Sequence, residues 1–174
     1  PTSASNATGG AGSLAIAINA AESTATNNST VTASIGNGVT LPDGDLDVVS
    51  SAMTRQTANA SGIAGAGLIA AGNVKSTATS NVTRSARLGD GTGSVQRLGK
   101  VQISATGTDT NNAASTAGSG ALFGGNGSQA ATGSTSTTTA SIGKQQKLVA
   151  NNFGLLADHK TVYGGKSDSF NVAL

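Results

Sequence analysis

Apolar and polar residues alternate along many short segments of the chain, whereas helical spacing is weak. Val31, Ala33 and Ile35 follow one another at every second position. A period of two places such side chains on one face of a β-strand. The best helical candidates, the segments AINAAESTAT and ADHK, have no sustained apolar stripe at a spacing of 3.6 residues. The pattern therefore predicts an all-β chain.

Three short landmarks return in the same order along the chain. The first has the sequence TASIG, then SARLG, then TASIG again, and its glycines are Gly36, Gly89 and Gly143. The second is LDVVSSA, then VQISATG, then FGLLADH, and the third is GSLAIAI, then GLIAAG, then GALFGG. A fixed period is the signature of a repeat architecture.

The period of these landmarks is 53 to 55 residues. It predicts a single repetitive β domain over residues 1–174, with units of approximately 12–66, 67–119 and 120–174. Repeats that cannot bury a core alone must stack, and stacked strands lie about 4.8 Å apart. We therefore expect a parallel β-solenoid, or β-helix. The alternative is a β-sandwich.

The length of one unit bears on the shape of the coil. At about 3.3 Å per residue, one unit would trace a circuit of roughly 175 Å. That circuit is too wide for a single coil filled by small side chains, unless the coil is strongly flattened. The sequence thus favours two or three coils per unit, and one flat two-layered loop remains the other solution.

The composition supports close packing of backbones and not a bulky core. The chain has 25 Gly, three Phe, one Tyr and no Trp, and Ala supplies much of its 36% hydrophobic content. Burying Ala contributes less than burying Leu or Phe, because the gain follows the apolar area at about 25 cal/mol per Å². Two prolines and a net charge of +2 do not favour a disordered chain.

Several function classes are disfavoured by what the sequence lacks. There is no Cys for disulfides or a Cys-ligated metal site. The ten Lys and Arg are spread along the chain and form no stripe, so no nucleic-acid partner is expected. No apolar run reaches 18 residues, so no transmembrane segment is expected. The start, PTSASNATGG, has no signal-peptide pattern and is typical of a fragment or a processed product.

Candidate chemistry is sparse. His159, the sole histidine, follows Asp158, but no GxSxG context supports a catalytic triad, and the histidine is more typical of a surface loop. Asp43, Asp45 and Asp47 could offer oxygen ligands to calcium, but the rest of an EF-hand loop is missing, and a β-turn explains them better. We therefore assign no catalytic, cofactor-binding or metal-binding residue, and expect no enzyme.

Threonines provide the other functional candidate. Thr30 and Thr32, and then Thr137 and Thr139, have the two-residue spacing that puts hydroxyls on one face of a strand. A flat Thr array on a rigid solenoid is the type of surface that ice-binding proteins use. Arg87, in the middle repeat, would interrupt such an array. The alternative function is thus a ligand-binding solenoid, for ice, carbohydrate or calcium.

The segments GDLDVVSSA, GAGLIAAG and VTASIGNG resemble the β-strand repeats of large bacterial surface proteins. These are the filamentous-haemagglutinin-like and leukotoxin-type filamentous adhesins, and the resemblance covers about residues 10–174. It implies an extracellular, cell-surface shaft without catalytic residues. The leading expectation is a structural segment of a fibre, adhesin or biofilm matrix. Its partners would be copies of itself or adjacent repeats of a longer chain, and a host or matrix surface.

Overall fold

The computed structural model describes residues 1–41 and 43–173, so Pro42 and Leu174 lie outside the described residues. These residues form long β-strands, and no helix occurs among them. The strands are β1 (Thr2–Ser13), β2 (Ile16–Ile35), β3 (Leu46–Ala66), β4 (Ile69–Leu88), β5 (Val95–Gly120), β6 (Phe123–Ser134), β7 (Thr137–Ile142) and β8 (Lys147–Val172).

The strands form two parallel sheets, and the chain passes back and forth between them. The first sheet has the order β1-β3-β5-β8, and the second has the order β2-β4-β6, with β7 continuing β6 along β4. Every pair of neighbouring strands is parallel. The predicted parallel β-solenoid is therefore confirmed, and the antiparallel strand pairing of a sandwich is not present in the described residues.

Each repeat forms one flat coil, with one pass through each sheet. In the second sheet, Thr30 pairs with Thr83, and Thr83 pairs with Thr137, so neighbours are 53 and 54 positions apart. The expectation of two or three coils per unit is wrong, and the flat two-layered loop is the solution that the chain adopts. Strands of 20 residues extend for roughly 66 Å at about 3.3 Å per residue, which accommodates the long circuit.

Small side chains allow this flattening. The two sheets meet through alanines such as Ala25, Ala58, Ala78 and Ala113, all of them buried. Because these side chains are short, the sheets lie close together along most of their length. Larger residues gather at one end of the coil, in a cluster of buried apolar side chains: Leu46, Val48, Ala86, Leu88, Leu98, Val101, Ile103 and Ala105.

The two helical candidates are strands. AINAAESTAT lies within β2, and its residues alternate between buried and exposed. Ala21 points into the coil, whereas Glu22 points outwards and lies 3.6 Å from Lys75 of the next coil. ADHK lies within β8. Pairing with the neighbouring coil outweighs the helix propensity of alanine, which is only a weak preference.

The glycines that end the second and third copies of the first landmark, Gly89 and Gly143, permit the turns to stack tightly. A Cβ atom on Gly89 would lie 2.5 Å from Asn37 Oδ1, and one on Gly143 would lie 2.5 Å from the Asp90 backbone N. The same turns are joined by side-chain caps, since Asn37 Oδ1 accepts a hydrogen bond from the Asp90 N–H at 2.8 Å. Asp90 Oδ1 in turn accepts one from the Lys144 N–H at 2.9 Å.

Candidate functional site: open edges and a threonine face

Both ends of the solenoid have open strand edges. At the first end, β1 and β2 each have one neighbouring strand in the described structure, and β1 pairs only with residues 55–66 of β3. Residues 46–54 of β3 are therefore unpaired on that side. At the second end, β6, β7 and β8 each have one neighbour. Open edges present unpaired N–H and C=O groups, which template the addition of further strands.

The two identical TASIG segments lie at opposite edges of the second sheet. The first belongs to the end of β2 and the second to the end of β7, and SARLG of β4 lies between them. Ala86 and Leu88 of that middle segment are fully buried, whereas Arg87 is exposed. The pentapeptide is thus repeated on the two surfaces that stacked copies of the solenoid would bring together.

At the second end, the inward face of β8 exposes large apolar side chains. Phe153 and Leu155 of β8 pair with Val101 and Ile103 of β5, which are fully buried, yet Phe153 is 56% exposed and Leu155 is 49% exposed. The difference arises from the stagger of the sheets. Each strand of the second sheet packs against two successive strands of the first, so β6 packs against both β5 and β8. In the described structure, no further strand of the second sheet follows β6 and β7, so half of the inward face of β8 is uncovered.

The outward face of the second sheet holds a two-dimensional array of threonines. Thr26 Oγ1 lies 3.1 Å from Thr79 Oγ1 of the next coil, and Asn81 donates to Asn28 at 2.9 Å in the neighbouring row. Arg87 occupies the outermost row, with Ser34 and Ser141, and so lies outside the threonine rows, in which Ser85, Ala131 and Gly133 replace threonine. The threonines of this face, which we call the threonine face, are Thr24, Thr26, Thr30, Thr32, Thr77, Thr79, Thr83, Thr137 and Thr139.

A buried polar cluster crosses the interior between the sheets. Arg84 Nη2 of β4 lies 2.5 Å from Asp109 Oδ1 of β5, and both side chains are fully buried. Thr54 Oγ1 donates to the same carboxylate oxygen at 2.6 Å, and Arg84 Nε donates to the Ala52 carbonyl oxygen at 3.2 Å. His159 Nε2 of β8 lies 3.0 Å from Asp109 Oδ2. Three successive coils therefore meet at one carboxylate.

The electrostatics of the cluster favour a charged Asp109. Burial by itself would raise the pKa of this carboxyl group, but hydrogen bonds from Arg84, Ser136 and Thr54 and the charge of Arg84 outweigh burial. They hold the pKa of Asp109 well below its usual range. Space for the guanidinium comes from Gly107, where a Cβ atom would lie 2.1 Å from Arg84 Nε. The cluster is a structural connection between coils.

Sequence reasoning missed this cluster, although part of the signal was present. Arg84 occupies the strand position that Val31 occupies in the first coil and Thr138 in the third. Alternation therefore placed its side chain inside. Nothing in the period identified Asp109 as its partner, because the repeat fixes which residues stack within a sheet and not which residues face each other between sheets.

The other candidates from the sequence do not come together in one site. Asp45 Oδ1 accepts a hydrogen bond from the Lys100 N–H at 2.8 Å, and Asp47 lies 3.1 Å from Lys100 Nζ. His159 lies in strand β8 and is partly buried, so its interpretation as a loop residue is wrong. Asp158 is exposed and precedes it on the opposite face of β8. Over residues 1–41 and 43–173, no three His, Cys, Asp or Glu side chains are grouped to hold a metal ion.

The fold defines the class of this protein as a flat, two-sheeted parallel β-solenoid. No family model, curated protein or solved structure matches the chain. The part of the chain that the structure describes contains no apolar helix of membrane-spanning length.

Proposed function

We propose that the chain is a non-enzymatic structural segment of an extracellular bacterial fibre or filamentous adhesin. It acts by its rigid length and by self-association through the open strand edges, either with other copies or with adjacent repeats of a longer chain. The extracellular, bacterial setting comes from the resemblance of GDLDVVSSA, GAGLIAAG and VTASIGNG to adhesin repeats. A rigid solenoid needs no active site for this role.

The observation behind the proposal is the placement of the two TASIG segments. Within the chain, Ala33 stacks on Ala86 and Ala86 on Ala140, while Ile35 stacks on Leu88 and Leu88 on Ile142. Within these two segments, the inward residues at the two open edges are thus identical to each other and matched to the strand between them. Each TASIG strand already pairs with β4 on one side, so its open side is suited to pair in the same way with a strand of another copy.

Electron microscopy and fibre diffraction test this function. We expect the purified chain to form filaments as its concentration is raised, with a reflection near 4.8 Å along the filament axis, because the strands lie perpendicular to that axis. A chain that stays strictly monomeric in light scattering at every accessible concentration, with no filaments on grids, would overturn the proposal.

The threonine face supports a second candidate, which is ice binding. Its neighbouring hydroxyls lie about 6.6 Å apart along the strands and about 4.8 Å apart across them, and Arg87 lies outside these rows. Thermal hysteresis of the purified chain tests this function. Thr79→Lys, in the middle strand of the array, should abolish hysteresis, whereas Thr108→Lys, on the outward face of the other sheet, should preserve it. Absence of hysteresis in the parent chain would exclude ice binding.

A further inference from the structure

The strand registers define how a second copy would continue the solenoid. In the second sheet, β4 follows β2 by 53 positions and β7 follows β4 by 54, so β7 lies 107 positions beyond β2. In the first sheet, β5 follows β3 by 55 positions and β8 follows β5 by 52, which again gives 107. One displacement of a second copy therefore extends both sheets in register.

This displacement matches the residues at the two ends. Ile142 would stack on Ile35 of the second copy in the second sheet, and Leu155 would stack on Val48 in the first. β2 of the second copy would cover the exposed inward half of β8. The connecting segments are complementary in charge, since residues 36–45 carry Asp43 and Asp45 and residues 143–152 carry Lys144 and Lys147.

One segment has no place in such a junction. β1 pairs with residues 55–66 of β3, and the later half of β8, residues 162–172, pairs with the equivalent residues 110–120 of β5. In the stacked arrangement, β1 of the second copy and residues 162–172 of the first copy would therefore occupy the same position. Only one of them fits.

We propose, on the basis of the self-association already proposed, that a second copy docks with its β2 and β3 edges on β6, β7 and β8, and that docking expels β1 of the second copy. β1 thus acts as a removable cap on the first end. While it is in place, residues 55–66 of β3 are shielded from other chains.

Side-chain contacts indicate that β1 is the segment that leaves. Its inward residues are Ser, Ala and Gly, and they are only half-buried, so little apolar burial is lost on release. Residues 162–172 are even more exposed than β1, but side chains near their end anchor them to the neighbouring strands. The Phe170 ring fills the space above Gly118, and Asn171 Oδ1 accepts hydrogen bonds from Ser119 at 2.5 Å and from Asn126 at 2.8 Å.

Two interior hydrogen bonds that hold β1 would find equivalent acceptors after the exchange, whereas the outward bond from Asn59 to Asn6 would be lost, because Lys166 would take the place of Asn6. Asn19 donates to the Gly9 carbonyl at 3.0 Å, and Ser23 donates to the Ser5 carbonyl at 2.8 Å. In the junction, the carbonyl groups of Ser169 and Gly165 of the first copy would lie in those places. β3 likewise exchanges one parallel neighbour for another. Docking then adds new pairing along β2 and along residues 46–54 of β3.

Engineered disulfides test the register of docking, because the chain has no native cysteine. Within one chain, Ser34 and Ser141 are two strand spacings apart, about 9.6 Å, which a disulfide cannot span. Across the junction they would be direct neighbours. Oxidised S34C/S141C should therefore form a ladder of covalent oligomers, and the out-of-register control S34C/T137C should not. Equal ladders from both variants would overturn the proposed register.

A second pair of disulfides tests the release of β1. Asn6 and Asn59 are paired neighbours, and Asn59 donates to Asn6 at 3.0 Å. The oxidised N6C/N59C variant, with β1 fixed on β3, should elongate at least about tenfold more slowly than its reduced form, which corresponds to about 1.4 kcal/mol in the barrier. The control T116C/D168C fixes residues 162–172 on β5 instead, and its oxidation should leave elongation unchanged.

The outcomes separate this inference from the proposed function. If the parent chain and S34C/S141C never associate, self-association itself is wrong. If the parent chain elongates and oxidised N6C/N59C elongates equally fast, the release of β1 is wrong and self-association stands. If oxidation of T116C/D168C slows elongation, with or without an effect of N6C/N59C, then the displaced segment is not β1 alone and the inference is overturned.

Discussion

Arg84 and Asp109 form a fully buried ion pair between the two sheets, with Arg84 Nη2 2.5 Å from Asp109 Oδ1. Arg84 and Asp109 both belong to the second coil, and Thr54 of the first coil and His159 of the third approach the same carboxylate. A buried pair costs desolvation, so it is not by itself a source of stability. Its geometric effect is to fix the sheets relative to each other where the interior is otherwise made of small side chains.

Removing one partner should therefore be costly. Asp109→Asn leaves the Arg84 charge uncompensated in the interior, and we expect a loss of about 3–5 kcal/mol in the free energy of unfolding. Urea denaturation followed by circular dichroism measures it. The double variant Arg84→Met/Asp109→Asn should recover most of that loss, because no buried charge is left. A double variant as unstable as Asp109→Asn would show that hydrogen bonding, and not charge, dominates the cluster.

Acid should weaken the same connection. The pKa of Asp109 is depressed in the folded state, so the contribution of this group to stability is present above its unfolded pKa of about 3.9 and is lost as the pH falls below that value. The urea midpoint of the parent chain should drop between pH 5 and pH 3 (about the range over which an unfolded carboxyl titrates). The drop should be smaller in Asp109→Asn, which has no carboxyl group at this site. Equal slopes would contradict a depressed pKa.

The sequence predicted the repeat period and the alternation of inward and outward side chains, but not the number of coils per repeat. Alternation in TASIG and SARLG placed Ala86 and Leu88 inside and Arg87 outside, and the structure confirms it. The number of coils per repeat was not predictable, because it depends on how closely two sheets can approach. That distance is set by facing pairs such as Ala58 and Ala78, which belong to different sheets.

The same limit explains what was missed at the functional surfaces. The spacing identified four threonines, which lie on the two outer strands of a larger array: Thr30, Thr32, Thr137 and Thr139. Strand β4 lies between these strands and contributes Thr83 and Ser85. Landmark matching gave the period but aligned only the most apolar segments. Segments rich in Ser, Thr, Ala and Asn have little alternation between apolar and polar residues, yet they pair just as regularly. Backbone hydrogen bonding, and not side-chain hydrophobicity, defines their register.

Gly107 should be intolerant of any side chain. Its Cβ position would lie 2.1 Å from Arg84 Nε, so Gly107→Ala must displace a fully buried guanidinium from its carboxylate. Overpacking of this kind costs about 1–3 kcal/mol, and loss of the ion pair would add to it. Gly65→Ala is the matched control, because a Cβ atom there would meet nothing within 4 Å. Thermal unfolding of both variants should show a large shift for Gly107→Ala and a negligible one for Gly65→Ala.

Leu155 and Ile103 should separate the stability of the coil from the association of copies. They are paired neighbours on the inward face of the first sheet, but Ile103 is fully buried and Leu155 is half-exposed. Ile103→Ala should lower the free energy of unfolding by about 2–5 kcal/mol, because it leaves a cavity, whereas Leu155→Ala should cost the single chain much less. If the second end docks another copy, Leu155→Ala should nevertheless raise the concentration at which filaments appear, since its side chain is buried only in the junction. Light scattering against concentration measures this onset. An unchanged onset in Leu155→Ala would show that the uncovered face of β8 takes no part in association.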